Sequence, residues 1–405
     1  MGRKSFFMTI LMLLSVLLLL GMTKPLLAEP TLNGNAAVLL DPRSGQVIWE
    51  KNRDEKLHPA SITKILTAIM AIESGKLNDI VTVSGNPPRV EGTRVYLEVG
   101  ERITLRELVQ AALIHSANDA ALAIAEYLGG TEENFAQTMN KRAQELGALN
   151  SNFLNAHGLS EEGHYTTAYD MALISSYAIS NGVFREIVET KVLPWEGKAW
   201  QANLINKNQM LWSYEGANGV KTGYTSEAKC TIVVSATRKG QTYLAVVLGS
   251  LGNNTWTDAE ELLDYGFDNF QTLELTRPNE VIATLVLDQK NELELVAEKE
   301  FALSLPQSGN KQVESRLALK PIGHVVAKGQ VVGEKIYSVN GQDVGAVNLV
   351  AKEQIKVTNL FNIIAYLIAG VYLLQIFWRI VKQWRNNKRN RNMFASSPRR
   401  LYRDF

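Results

Sequence analysis

Two charge-free apolar runs, one near each end, set the strongest limits on how this chain can fold. Phe6–Leu20 follows Arg3 and Lys4 and precedes the small residue Ala28. That is the pattern of a secretory signal over residues 1–28, with an uncleaved anchor as the other reading. Val357–Trp378 carries no charged residue and is long enough for a helix to cross the hydrocarbon core, which takes about 20 residues. A helix lying on the membrane surface would show a charged face, and this stretch has none. The tail over residues 379–405 is basic from Arg379, Lys382 and Arg385 onward, and the positive-inside rule puts it in the cytoplasm. The chain between the two runs is therefore expected outside the cell, tethered through residues 357–378.

Cys230 is the one cysteine, so no intrachain disulfide can form. An exported chain without disulfides must be held by its buried core, which suits the extracytoplasmic face of a bacterial cell membrane better than eukaryotic secretion. At 405 residues there is length for two or more such cores. Cys230 itself lies in a strand-like run and reads as a small buried apolar residue. The net charge of +1 combines basic ends with an acidic middle, so the exported part is not suited to nucleic acid. The 5 histidines are scattered singly and no zinc-type spacing occurs; no metal and no cofactor are expected.

Ala36–Leu40, the turn Asp41-Pro42-Arg43-Ser44-Gly45 and Gln46–Trp49 read as a β-hairpin. Thr104 and Glu107 form a capping-box pattern for a helix that ends near His115. Further helices are expected over about 120–128 and 134–146, each stopped by glycine. From Gly219 the period changes to two: 219–223, 231–237 and 242–249 read as strands, closed by a helix over about 258–270. Strands at both ends of a helical block imply one α/β domain whose sheet draws on both. Beyond Arg277-Pro278, short alternating runs over 281–287, 293–296, 316–319 and 331–337 read as a small all-β module. The expected division is 1–28, 29–275, 276–352, 357–378 and 379–405.

Pro59-Ala60-Ser61-Ile62-Thr63-Lys64 stands out within the first domain. Pro59 suits a helix start, and Ile62, Ile65, Leu66 and Ile69 recur at helical spacing. Ser61 then lies in the first turn, where free N–H groups favour negative charge on its oxygen. Lys64, three residues on, shares its face and can reach the hydroxyl. A serine beside a lysine at a helix start is a candidate nucleophile, although a capped helix with a solvated lysine has the same pattern. Ser116-Ala117-Asn118 falls in a break between two helices, where polar side chains can point into a cleft. Lys221-Thr222-Gly223 lies on a strand whose glycine lets a peptide approach its edge.

Ser-x-x-Lys, Ser-x-Asn and Lys-Thr-Gly in this order form the motif set of penicillin-binding proteins and class A β-lactamases. With Asp41–Gly45, His157-Gly158-Leu159, Thr167-Ala168-Tyr169-Asp170 and Gly219–Thr225, residues 33–270 resemble a D-alanyl-D-alanine carboxypeptidase of the low-molecular-mass penicillin-binding group. The resemblance implies an α/β fold: a penicillin-recognising serine transferase or β-lactamase-like domain, with antiparallel sheet and helical block. A small all-β domain and a C-terminal transmembrane helix would follow. It also implies removal of the terminal D-alanine from peptidoglycan pentapeptides, and covalent inhibition by β-lactams. Ser61 would be the nucleophile, Lys64 its base and Ser116 a proton relay. Asn118, Lys221, Thr222, Gly223 and Tyr224 would bind substrate, with the Ser61 and Tyr224 amides holding the oxyanion.

Two departures stand out. Lys229 occupies a position where similar proteins usually have glycine, and 249–258 lacks the arginine that often helps to bind carboxylate. A β-lactamase-type hydrolase shares the chemistry to the acyl-enzyme, but no Glu-x-x-x-Asn stretch for activating water is apparent between Ser116 and Lys221. A non-catalytic penicillin-binding scaffold is the other alternative. A general serine esterase lacks its Gly-x-Ser-x-Gly turn.

Overall fold

The computed structural model describes residues 29–287, 292–308, 312–323, 325–356 and 370–383. The expected signal, residues 357–369 of the expected membrane span, and the tail beyond residue 383 lie outside them. The described chain divides into two compact units. One comprises the chain up to Leu273 with a strand returning from Ala302, and the other is built on Glu274–Phe301 and the strands after it.

In the first unit, β1 (Ala36–Asp41) and β2 (Gln46–Lys51) form the expected hairpin. The short pairs β3 (Ile80–Thr82) with β4 (Arg102–Thr104), and β5 (Val192–Glu196) with β6 (Gln201–Ile205), flank the helical block. Long strands β7 (Ala217–Thr225), β8 (Lys229–Arg238) and β9 (Gln241–Ser250) complete an antiparallel sheet in the order β2-β1-β9-β8-β7. Sequence-distant β1 and β9 thus meet at its centre, which joins the two ends of the domain, and β7 is left at the edge.

Period-two alternation explains why β1 is buried throughout. Ala36, Val38 and Leu40 face the helical block with Ile62, Ile65 and Leu66. Ala37 and Leu39 face the other way, onto Ala259, Leu262 and Leu263 of the helix Asn254–Asn269. A strand covered on both faces needs an apolar residue at every position, not at alternate ones. The helix Lys64–Glu73 is enclosed likewise, with Lys64, Ile65, Leu66, Thr67, Ala68, Ile69, Ala71 and Ile72 all buried. A helix apolar all round belongs inside a core.

The capping box at Thr104 is present: its hydroxyl accepts from the Glu107 amide at 3.2 Å, and the Glu107 carboxylate accepts from the Thr104 amide at 2.9 Å. Helices Asn118–Gly129 and Glu132–Glu145 follow. Ala168–Ser180 and Gly182–Glu189 are two further helices, the second amphipathic, with Phe184, Ile187 and Val188 on its buried face and Asn181 as its cap. Cys230 is half-buried, not enclosed as expected, because it lies at the start of β8.

The second unit has a five-stranded antiparallel sheet with a small core of Leu293, Leu295, Val332 and Leu349. Phe301 stacks on Tyr337 with centroids 4.7 Å apart. This is the expected all-β module. Residues 370–383 are helical, with Val371, Leu374, Phe377 and Trp378 exposed. No helix among the described residues is long and apolar enough to cross a membrane.

Candidate active site

Ser61 sits in a tight helical turn, Ala60–Thr63, that leads directly into Lys64–Glu73. Lys64 is fully buried. Its Nζ lies 3.0 Å from Ser61 Oγ, 2.7 Å from Asn118 Oδ1 and 2.6 Å from the His157 carbonyl oxygen. The same three contacts serve the amine in either protonation state, with a third N–H towards Ser61 Oγ when it is charged. Both carbonyl oxygens can only accept, so they take two N–H bonds. In the neutral amine the remaining position is a lone pair, and it faces the Ser61 hydroxyl. Burial, and secondly the nearby Lys221 cation, hold the Lys64 pKa well below the ordinary lysine range.

The break predicted at Ser116 is a wide helical turn over Ala111–His115 that leaves Ser116 in a left-handed conformation at φ 70°. Asn118 then opens the next helix. Its Nδ2 donates to the Glu91 carbonyl at 2.6 Å, which turns Oδ1 towards Lys64. The adjacent Asp119 is also buried, but its carboxylate accepts from the amides of Val95, Leu97 and Ala120 and so pins the 95–97 loop. It is a structural anchor.

From the other side, β7 brings Lys221 to Ser116. Lys221 Nζ lies 2.9 Å from Ser116 Oγ and donates to the Thr222 carbonyl at 2.8 Å. Burial, helped by the Lys207 cation, pushes the Lys221 amine down to about 7. Thr222 and Gly223 are half-buried and Tyr224 is exposed, so this part of the edge strand is open to a ligand. Gly223 packs directly on the nucleophile turn: a Cβ there would lie 2.6 Å from the Ser61 amide nitrogen and 2.9 Å from Ala60 Cβ. Thr231 Oγ1 on β8 donates to the Pro59 carbonyl at 2.9 Å and fixes the turn against the sheet. All three motifs therefore converge.

Several supporting residues were not assigned roles by the motifs. His157 supplies the carbonyl that holds Lys64. Its Nδ1 accepts from the Leu159 amide at 3.2 Å, so a neutral ring carries its proton on Nε2, which faces Glu132 Oε1 at 3.3 Å. The same Glu132 oxygen accepts from the Ala156 amide at 3.0 Å. His164 is arranged alike: Nδ1 accepts from the Leu154 amide and Nε2 lies 3.2 Å from Thr63 Oγ1. Gly158, at φ +86°, lies where a Cβ would be 1.9 Å from the Ala60 carbonyl oxygen. The His157-Gly158-Leu159 run was the visible sign of this support. Arg238, by contrast, stacks on Tyr214 and Phe267 and pairs with Asp264, so it has a packing role on the far side of the sheet.

Comparison with known proteins agrees with this geometry. Residues 24–252 match the D-alanyl-D-alanine carboxypeptidase family, and residues 270–357 match the penicillin-binding protein 5 C-terminal domain. The chain is 33% identical over 339 residues to D-alanyl-D-alanine carboxypeptidase DacF of Bacillus subtilis, spanning 79% of this chain and 85% of that one. It is 32% identical over 353 residues to D-alanyl-D-alanine carboxypeptidase DacC of Escherichia coli, spanning 82% and 87%. Among solved structures, penicillin binding protein 5 from Haemophilus influenzae superposes with a TM-score of 0.72 at 29% identity, covering 82% of this chain and 99% of that one. With its ordered serine and lysine motifs gathered in one cleft, the chain belongs to the D-alanyl-D-alanine carboxypeptidase family of low-molecular-mass penicillin-binding proteins.

Proposed function

We propose that this protein is a serine-type D-alanyl-D-alanine carboxypeptidase that removes the terminal D-alanine from peptidoglycan stem peptides through an acyl-enzyme on Ser61. The observation that carries this reading is the Lys64 amine, whose two N–H bonds are taken by carbonyls while its remaining position faces Ser61 Oγ at 3.0 Å. Ser61 Oγ attacks the carbonyl between the two D-alanines as its proton passes to Lys64. The tetrahedral oxyanion is held by the amides of Ser61 and Tyr224, where loss of one donor costs roughly 10²–10³ in rate. Ser116, bonded to Lys221, relays a proton to the leaving amine, and D-alanine departs. Water then cleaves the ester and returns the proton to the site. Lys221 and Thr222 receive the substrate carboxylate, Asn118 holds substrate backbone and Lys64, and Gly223 leaves room for both.

A lysine neutral near pH 7 needs a downward shift of about three units from its ordinary value near 10.4, or roughly 4–5 kcal/mol. Full burial and the Lys221 cation act in that direction. β-Lactams would acylate the same hydroxyl. In this reading residues 357–378 anchor the protein in the bacterial cell membrane, with the catalytic unit on its extracytoplasmic face. The test is a gel: fluorescent penicillin labels the full chain and Ser61→Ala abolishes the label, while D-alanine release from a pentapeptide is lost in parallel. Unchanged labelling of Ser61→Ala would refute the assignment.

A further inference from the structure

Lys207 is a cation beside the cleft to which the reaction just described gives no role. It lies in the connection from β6 to β7, and its amide donates to the carbonyl of Ile114, close before Ser116, at 3.2 Å. The asparagines on either side of it are buried and fix this connection. Asn206 Nδ2 donates to the Val188 and Thr190 carbonyls at 3.1 and 3.0 Å, and its Oδ1 accepts from the Asn208 amide at 3.0 Å. Asn208 Oδ1 in turn accepts from the Met210 amide at 3.2 Å. Lys207 is thus an exposed side chain on a backbone clamped from both sides, next to the turn that presents Ser116.

Its charge is left without an answer. Lys198 pairs with Glu98, Arg238 pairs with Asp264, and Lys191 lies over the Trp212 ring. Lys207 Nζ has no hydrogen-bond, ion-pair or ring partner among the described residues. What its charge acts on is another cation. The Lys221 amine is held down by burial and then by Lys207, and His115 by burial, then Lys207, then Lys221. Like charges kept side by side disfavour each other until an anion enters between them. Lys221, pushed down to about 7, carries only part of a positive charge at neutral pH, so it does not by itself balance an incoming carboxylate.

We propose that Lys207 is a specificity residue for the leaving group, pairing with the carboxylate of the departing D-alanine beside Lys221 and Thr222. The assignment deepens the carboxypeptidase reading and rests on it. Moving a carboxylate from water into a cleft is costly unless cations and donors replace the water it loses. With the carboxylate seated between them, Lys207 and Lys221 are each attracted to it, and Lys221 regains its proton as the substrate enters. The ammonium of Lys207 comes to the anion from the exposed side, while the buried Lys221 stays bonded to Ser116. Lys207 touches the group that leaves and not the acyl group held on Ser61. Its effect is therefore confined to acylation: once D-alanine has gone, hydrolysis of the ester has no further use for it.

The experiment uses two thioesters of one acyl-D-alanyl group on the full-length protein. Their leaving thiols differ only in charge: 2-mercaptopropanoate carries the carboxylate, and propane-2-thiol does not. Lys207→Gln should lower kcat/KM for the carboxylate thioester by about tenfold or more, the worth of one charge-assisted hydrogen bond, and for the neutral one less than twofold. Lys207→Arg, which keeps the charge, should stay within about threefold of wild type on both. Hydrolysis of a preformed penicilloyl adduct should proceed at the wild-type rate in Lys207→Gln, which also reports an intact site. Unchanged kcat/KM for the carboxylate thioester in Lys207→Gln would overturn the assignment. An equal loss with both thioesters would overturn it too, since Lys207 would then only steady the Ser116 turn. Turnover of both thioesters by Ser61→Ala at the wild-type rate is a separate outcome: the carboxypeptidase reading fails, and the role of Lys207 falls with it.

Discussion

Lys64 and Lys221 are both withdrawn from solvent, and each holds a serine hydroxyl: Ser61 at 3.0 Å and Ser116 at 2.9 Å. Their charges repel, and the Lys221 cation helps to depress the Lys64 amine. Lys221 carries that charge only below about pH 7, so within that range its removal raises the Lys64 pKa, and neutral Lys64 becomes abundant at a higher pH than in wild type. For Lys221→Gln we expect penicillin acylation at pH 7 to fall by about 10² or more, as for other lost acid–base groups. The limb of the profile that rises with pH should also move to higher pH. Second-order acylation rates between pH 6 and 10 measure both. A lower rate with an unmoved limb would show that Lys221 acts only in binding.

Gly223 makes a separate prediction because its neighbours are backbone and packed atoms that cannot swing aside. A methyl group there meets the Ser61 amide nitrogen and Thr231 Oγ1, both at 2.6 Å. Gly223→Ala should cut acylation by about 10² or more by displacing an oxyanion donor. Overpacking of this kind costs roughly 1–3 kcal/mol, so the fold should survive with a lower Tm. Gly85→Ala, with no atom within 4 Å of the new carbon, is the matched control and should leave both unchanged. Normal acylation in Gly223→Ala would mean that the turn can shift away.

Glu132 lies a layer behind the chemistry. Its Oε1 accepts from the Ala156 amide and faces His157 Nε2, and the His157 carbonyl in turn holds Lys64. Glu132→Gln keeps an acceptor at the same place, so acylation should stay within about threefold of wild type by the modest value of one hydrogen bond. Glu132→Ala leaves two buried donors unsatisfied, costing roughly 1–3 kcal/mol each. It should lower acylation about tenfold or more, and the limb of the pH profile governed by Lys64 should shift as its anchoring carbonyl moves. A limb that stays in place would reduce Glu132 to a stabilising role.

The parts of the molecule that were legible in the sequence share a cause. Capping at Thr104, the glycine stops and the alternating strands of the β7–β9 region are local signals, written in a few neighbouring residues. The three motifs were legible as types and order, and the structure brings Ser61, Lys64, Ser116, Asn118 and Lys221 together as they implied. What stayed hidden depends on partners far away in the chain. Ala168–Ser180 is apolar on nearly every side because it is covered by β1, β9 and neighbouring helices, so no amphipathic stripe marks it. Phe301–Pro306 and Gln342–Ala351 are strands set by their pairing, not by clear alternation. The Glu132–His157 contact joins residues with nothing in common until the loop at 155–159 closes over Lys64. Cys230 looked enclosed because its run is strand-like, but exposure at a strand end is not written in the residues themselves.

Buried histidines give the last prediction. Burial pushes His157 down to about 3, assisted by the Lys64 charge, and His164 to about 4, assisted by His58. Burial also lowers His115 to about 4, with help from Lys207 and Lys221. In the unfolded chain each returns to an ordinary value near 6.5. Between about pH 4 and 6.5 the unfolded chain then binds protons that the folded one refuses, and stability falls as pH drops through that window. Asp119, Asp170 and Glu132 are shifted up by burial and act in the opposite sense. A comparison with His164→Gln isolates one histidine. At pH 5.5 its refused proton is worth about 1.4 kcal/mol, one unit of titration, and at pH 7.5 almost nothing. The fall in Tm from pH 7.5 to 5.5 should therefore be about 3–6 °C smaller in His164→Gln than in wild type, at the 2–4 °C per kcal/mol typical of a domain this size. Parallel pH dependences in the two chains would mean that His164 already carries its proton in the fold.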